Sequence, residues 1–253
     1  MRIDDELVFN AELQGLRQLA ALPRPKVPII GEDVPGALCL WEGDSGGDVR
    51  LVPHSGVPLA EVVGAAGGHE PFQIRGIASS FDDSALSLLG TLDAQRIDGL
   101  HTMMALDLST FVNTSEITAT VARDAQGLAQ LRSVVRQVYL GFDSTAEADD
   151  EADFFHAPGV MTYLATFENG RAVSTGSILV VDKVANIWSV ATLPTARGHG
   201  AASAVVRAEC AEARRQGATV AVLRTSKELA RIGGLYNSIG FSVVGYEQVW
   251  RVG

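Results

Sequence analysis

The segment from Val190 to Ser203 sets the tightest limit on what this chain can fold into. An apolar run, Ile187 to Leu193, reads as a strand, and Pro194 opens a short turn. Arg197-Gly198-His199-Gly200-Ala201-Ala202 then leads into a helical pattern from Ser203 to Gln216. Glycines between a strand and a helix let backbone N–H groups point into open space at the helix N-terminus. That end carries about half a positive charge and unsatisfied donors. Such a junction is a seat for phosphate oxygens.

The spacing narrows the kind of phosphate loop. A nucleotide P-loop needs Gly-x-x-x-x-Gly-Lys-Ser/Thr, and no Lys follows here. A dinucleotide fingerprint needs a third glycine, and position 203 is Ser203. What remains is Arg-x-x-Gly-x-Ala, carried by Arg197, Gly200 and Ala202. Downstream, Gly217 breaks the helical pattern and Ala218 to Leu223 is a short β-rich run. Thr225 to Asn237 reads as helical, although Gly233 and Gly234 weaken it. Leu235-Tyr236-Asn237-Ser238-Ile239-Gly240-Phe241 follows, and Ser242 to Val252 reads as a last strand. The two motifs, in this order with a strand between them, resemble the pyrophosphate loop and the Leu-Tyr-x-x-x-Gly-Phe signature of the GNAT acyltransferase superfamily. The resemblance covers about residues 116–252.

Composition excludes several classes. Of 253 residues 47% are hydrophobic, enough for one large or two modest cores. No run approaches the ~18–20 consecutive apolar residues of a membrane span. Met1-Arg2-Ile3-Asp4-Asp5-Glu6 is too acidic for a secretory leader, so a soluble cytoplasmic protein is expected. The net charge of −10 disfavours broad nucleic-acid binding, which needs clustered Lys and Arg. Arginine dominates the basic residues, a bias that fits a bacterial genome rich in G and C. Cys39 and Cys210 lie in different halves, outside any metal or redox spacing, and read as small core residues. No metal site is expected.

The C-terminal half reads as β–α–(α)–β–β–β–α–β–α–β. Ile117 to Ala122 is its first strand, and Asp124 caps a helix with Leu128, Leu131, Val134, Val135 and Val138 at helical spacing. The acidic tract Glu147 to Asp153 reads as a solvated helix face or as a negative rim that draws cationic amines. Val160 to Phe167 and Ser174 to Val184 read as strands joined at Glu168-Asn169-Gly170-Arg171, a hairpin signal. In the first half, Ala37 to Trp41 and Met103 to Leu108 read as strands, and Leu59 to Ala66 and Leu86 to Leu92 as helices. Pro23 to Gly36 and Asp44 to Asp48 read as surface connections, and Gly64 to Gly68 as a helix end and loop. The expected fold is α/β (α+β), a mixed twisted sheet flanked by helices. A GNAT-like domain is expected over residues 113–253, and a smaller, degenerate GNAT-like or accessory domain over residues 1–112, which lacks the Arg-x-x-Gly-x-Ala pattern.

The resemblance implies transfer of an acyl group from acetyl-coenzyme A, or another acyl-coenzyme A, to an amine. It places the diphosphate on the N–H groups of Gly198, His199, Gly200, Ala201, Ala202 and Ser203, with Arg197 on the phosphates or turned inward to brace the loop. It places the pantetheine along Trp188 to Thr192, with the N–H that polarises the thioester carbonyl near Val190 or Ala191 and with Thr192 at the strand end. It implies that Tyr236 protonates the departing thiolate. A phenol, with a reference pKa near 10, donates a hydrogen bond without ionising at neutral pH. A buried core tyrosine is the alternative reading. Candidates for the general base are Glu116, His156, Glu168, Asp182, His199 and Glu228, none singled out by its surroundings, and a water chain is a further option. Many relatives carry Asn seven residues before the tyrosine; this chain has Leu229 there. Two other readings therefore stay open: the same fold with a carrier-protein thioester or aminoacyl-tRNA as donor, and a non-catalytic module that binds coenzyme A. The expected acceptor is a small amine, and a homodimer through an exposed final strand is one assembly the pattern allows.

Overall fold

A computed structural model describes residues 3, 5–20, 29–34, 36–42, 47–51, 55, 57–66, 72–77, 80–97, 101–140, 159–166, 170–225 and 233–253. The chain divides into two compact units. The first comprises residues 1–104, 224–231 and 243–253, and the second residues 105–223 and 232–242.

The first unit begins with a helix, α1 (Asp5–Ala20), that the sequence reading did not separate from its surroundings. Its six-stranded sheet contains β1 (Ile29–Val34), β2 (Ala37–Glu42), β3 (Gly47–Leu51), β4 (Phe72–Gly76) and β5 (Gln95–Ile97). The strand between β4 and β5 comes from the far end of the chain, β13 (Gln248–Val252), giving the order β1-β2-β3-β4-β13-β5. Helices α2 (Leu59–Ala66) and α3 (Asp83–Thr91) share one apolar cluster with this sheet, including Val49, Ile74, Val62, Leu89 and Val252. Asp82 caps α3 by accepting a hydrogen bond from Ala85 N at 2.8 Å. Two expected connections are strands instead: Pro23 to Gly36 contains β1, and Gly47-Asp48 opens β3. β1 pairs in register with β2 along its whole length, and that pairing overrides a Pro- and Gly-rich local signal.

Expected as one strand, Ser242 to Val252 is two: β12 (Ser242–Tyr246) and β13, broken at Glu247. The Glu247 carboxylate is buried in the first unit. It accepts from Arg224 at 2.6 Å and from His101 Nδ1 at 2.7 Å, and it lies 3.4 Å from Arg75 and 3.7 Å from Arg50. Burial alone would raise its pKa, but Arg224, the His101 hydrogen bond, Arg50 and Arg75 outweigh burial and hold it well below the ordinary carboxylate range.

The second unit carries β6 (Thr102–Asp107), β7 (Ala119–Val121), β8 (Met161–Thr166), β9 (Ala172–Val181), β10 (Val184–Thr192) and β11 (Val220–Thr225), hydrogen-bonded in the order β6-β11-β10-β9-β8-β7. Pairs β7–β8, β8–β9 and β9–β10 are antiparallel, and β10–β11 is parallel. Helix α4 (Ala125–Val135) is capped by Asp124, which accepts from Gly127 N at 2.7 Å, and it continues as a π-helical turn, Arg136–Leu140. Leu131 and Val134 of α4 pack on Leu164, Ala172 and Ala191 of the sheet. Helix α5 (Ala201–Arg215) covers the sheet with Ala204, Val205, Cys210 and Ala213. Helix α6 is Gly233–Ile239. It starts at the glycine pair that weakened the helical reading, and residues 226–232 lie outside the described part.

The mixed α/β architecture, with twisted sheets flanked by helices, is the expected one. One hairpin differs in place. The sequence reading let a strand run through Asp182 and Lys183, yet both have positive φ (47° and 68°) and form the two-residue turn between β9 and β10. Asp-Lys carries none of the glycine chemistry that normally marks such a turn.

Candidate active site

The strand that delivers the chain to the phosphate-type loop is irregular where chemistry would need it to be. β10 pairs with β11 from Val184 to Ile187, opposite Val220 to Leu223, and then runs on to Thr192. On its other side the pairing with β9 shifts register between Trp188 and Ala191. Ser189 sits there at φ 51°, a left-handed conformation that a non-glycine residue adopts at a cost. This bulge re-aims Val190 relative to the regular pleat. Beyond it the strand is anchored to β9 again. Ser174 Oγ donates to Ala191 O at 2.9 Å and meets Thr192 Oγ1 at 2.8 Å, and Leu193 N donates to Val173 O at 2.9 Å.

A single 3-10 turn, Pro194–Ala196, carries the chain into the loop. Gly198 and Gly200 have φ of 79° and 81°, and Gly200 is the N-cap residue of α5. No side chain caps this helix. Ala204 N donates to Gly200 O at 2.9 Å as the first helical hydrogen bond, so the amides ahead of it stand before the ladder. A Cβ built on Gly198 would meet nothing within 4 Å, and Arg197, Gly198, His199 and Gly200 are exposed. The seat is thus open, electropositive by its helix dipole, and built from main chain that needs glycine. Arg197 Nε lies 3.4 Å from Thr192 O, and His199 Nδ1 lies 2.9 Å from Arg197 O. Ala201 is buried, and Ala202 and Ser203 are half-buried on the first turn of α5.

Tyr236 lies on α6 and is 8% exposed. Its ring meets Phe241 edge-on, with centroids 6.0 Å apart. Gly240, at φ 114°, turns the chain so that Gly240 N and Phe241 N both donate to Tyr236 O, at 3.1 and 3.0 Å. The Tyr-x-x-x-Gly-Phe spacing is therefore the geometry of one helix end.

Among the base candidates, Glu116 and Asp182 are exposed, the latter in the β9–β10 turn. His156, Glu168 and Glu228 lie outside the described residues, as do the acidic tract Glu147 to Asp153 and Leu229. Cys210 is buried, and burial followed by the neighbouring Glu209 raises its thiol pKa, which suits a packing role. No group of three or more His, Cys, Asp or Glu that could hold a metal occurs among the described residues. No helix among them is long and apolar enough to cross a membrane.

Two polar residues of α5 escaped the sequence reading. Arg207 is buried and donates to Ser203 Oγ at 3.3 Å, Val112 O at 2.9 Å and Ser238 O at 3.1 Å. Glu209 is fully buried, its carboxyl oxygens have no hydrogen-bond partner, and they lie over Gly176 of β9. The one available signal was Gly176 itself, since glycine inside an apolar strand marks a close approach.

Residues 128–241 match the model of the acetyltransferase (GNAT) family. No curated protein matches the chain. Among solved structures the chain is similar to a GCN5-related N-acetyltransferase from Kribbella flavida, with 17% identity and a TM-score of 0.69 over 98% of this chain and 95% of the other. A putative GNAT acetyltransferase from Novosphingobium aromaticivorans aligns with 13% identity and a TM-score of 0.61 over 98% and 97% of the two chains. A tandem GNAT protein from the clavulanic acid biosynthesis pathway aligns with 13% identity and a TM-score of 0.60 over 98% and 95%. At these identities the likeness carries the fold, and it extends across both units. Over residues 128–241 the chain is therefore similar to the acetyltransferase (GNAT) family.

Proposed function

We propose that this protein is an N-acyltransferase that moves an acetyl group from acetyl-coenzyme A to a small amine by direct attack. The observation that carries the reading is the uncapped, solvent-open N-terminus of α5, with Gly198 and Gly200 held at positive φ beside it. With glycine in place of a Ser, Thr, Asp or Asn cap, this helix end gives up roughly a few tenths of a kcal/mol of its own stability. It leaves its donors for an outside anion. In this reading the amides from Gly198 to Ser203 hold the diphosphate, and Arg197 braces the loop through Thr192 O. The cofactor supplies the activated acyl thioester. Val190, Ala191 and Thr192 follow the bulge at Ser189, and their main chain orients the pantetheine and thioester carbonyl. A single well-aimed N–H of this kind lowers a barrier by ~3–4 kcal/mol. The acceptor nitrogen would form the new C–N bond as the C–S bond breaks, Tyr236 would give its proton to the sulfur, and the proton released from the nitrogen would return through water to the phenolate. Its near-complete burial keeps the phenol in one orientation and limits competition from water.

Two measurements test this reading. Acetyl-coenzyme A should raise the thermal midpoint while pantetheine without the phosphates should not, because the seat recognises the diphosphate. Tyr236→Phe should lower kcat by about 10²-fold and leave that thermal shift intact. An unshifted midpoint with acetyl-coenzyme A would end the donor assignment. A Tyr236→Phe protein with wild-type kcat would end the proton-donor assignment.

A further inference from the structure

Arg207 is a buried cation whose donors are spent on three parts of the second unit that are distant in sequence. Nε faces Ser203 Oγ on the first turn of its own helix (3.3 Å), NH1 donates to Val112 O (2.9 Å), and NH2 donates to Ser238 O (3.1 Å). Ser238 is two residues beyond Tyr236, near the end of α6. That helix cannot hold itself in place. It has seven residues, two of them glycine, and isolated helices of this length do not form in water. Its terminal carbonyls need partners from outside. Tyr236 O and Asn237 O receive Gly240 N, and Tyr236 O also receives Phe241 N. Ser238 O receives the guanidinium, which places a positive charge at the negative end of the α6 dipole.

We infer that Arg207 is a positioning residue for acyl transfer. It locks α6, and with it the Tyr236 hydroxyl, to the first turn of α5 where the donor diphosphate is seated. Neither motif contains Arg207, and it touches no reacting atom. This rests on Tyr236 being the proton donor. Its effect is specific because the fork geometry of one guanidinium serves Ser203, Val112 and Ser238 together, and a lysine ammonium cannot reproduce it.

The test compares Arg207→Gln, Arg207→Lys and Arg214→Gln. Arg214 also buttresses α5, through Phe111 O at 3.1 Å, but makes no bond to α6 or Ser203, so its variant reports general loosening of the helix. Both Arg207 variants should lose kcat by about tenfold or more with the KM for acetyl-coenzyme A within about threefold, while Arg214→Gln keeps kcat. Hydrogen exchange at the Gly240 and Phe241 amides, which bond to Tyr236 O, should speed up in Arg207→Gln and not in Arg214→Gln. In a Tyr236→Phe background, Arg207→Gln should lower kcat no further, because the two act as one unit. Unchanged kcat and exchange in the Arg207 variants overturns the inference, and so does a full, additive loss in the Tyr236→Phe background. Arg207→Lys retains the charge and covers the case in which Arg207→Gln does not fold. If Tyr236→Phe alone keeps the wild-type rate, the proton-donor reading fails first, and the exchange data then report whether Arg207 still fixes α6.

Discussion

Glu209→Gln isolates the consequence of holding an unpartnered carboxyl inside the second unit. Glu209 is 0% exposed, and burial raises its pKa well above the ordinary carboxylate range. In the unfolded chain the same group titrates near ~4.3. Between those two values the folded state keeps a proton that the unfolded state has released, so stability falls as pH rises. The slope for one proton is about 1.4 kcal/mol per pH unit. Below ~4.3 both states are protonated and the penalty vanishes. Glutamine keeps the shape and does not ionise, so the variant lacks this slope, and any constant offset from its amide leaves the slope untouched. As pH rises above ~4.3 the stability of Glu209→Gln relative to wild type should grow, by at most about 1.4 kcal/mol per pH unit. Urea unfolding followed by far-ultraviolet circular dichroism at several pH values reads this difference directly. The other titrating groups are common to both proteins and cancel. Parallel curves of stability against pH would refute the reasoning, because Glu209 would then carry its charge in the folded protein.

Gly176→Ala places a Cβ 2.7 Å from Glu209 Oε1 and 2.8 Å from Val205 Cγ1, an overpacking that should lower stability by about 1–3 kcal/mol. Combining it with Glu209→Ala should recover part of that loss, and a double-mutant cycle in urea measures the coupling. Glu247→Gln removes a buried charge that faces Arg224, His101, Arg50 and Arg75, and should destabilise the first unit by about 3 kcal/mol at neutral pH. The Glu247 carboxyl titrates below its unfolded value, so its contribution is present above ~4.3 and is lost as pH falls; calorimetry from pH 6 to pH 3 should show the variant losing less stability than wild type. Gly200→Val forces a β-branched residue to φ 81°, with Ile117 Cδ1 3.3 Å from the new Cβ. It should abolish the thermal shift with acetyl-coenzyme A, as differential scanning fluorimetry would show.

The parts of the site that depend on local backbone were legible in the sequence. Gly198 and Gly200 announce positive φ, and Tyr236 to Phe241 announces a helix end, because these demands are met within a few residues. The helix capped by Asp124 and the strand Met103 to Leu108 were legible for the same reason. What stayed hidden depends on partners far along the chain. Arg207 and Glu209 sit in a helix whose polar pattern suggests solvent, and only Val112, Ser238 and Gly176 make them interior. The break at Glu247 was invisible because the side chains that hold its carboxylate come from positions 50, 75, 101 and 224. The strand β1 and the Asp182-Lys183 turn were missed because cross-strand pairing overrode their local composition.

The seating of β13 between β4 and β5 has a consequence for biogenesis. Residues 248–252 are translated after the entire segment similar to the GNAT family, yet they form an interior strand of the sheet whose other members are made first. During synthesis that sheet has a gap between two exposed edges until the last strand leaves the ribosome. The first unit, although most of its chain is made early, therefore completes its sheet no sooner than the second unit receives its own last segment, residues 232–242.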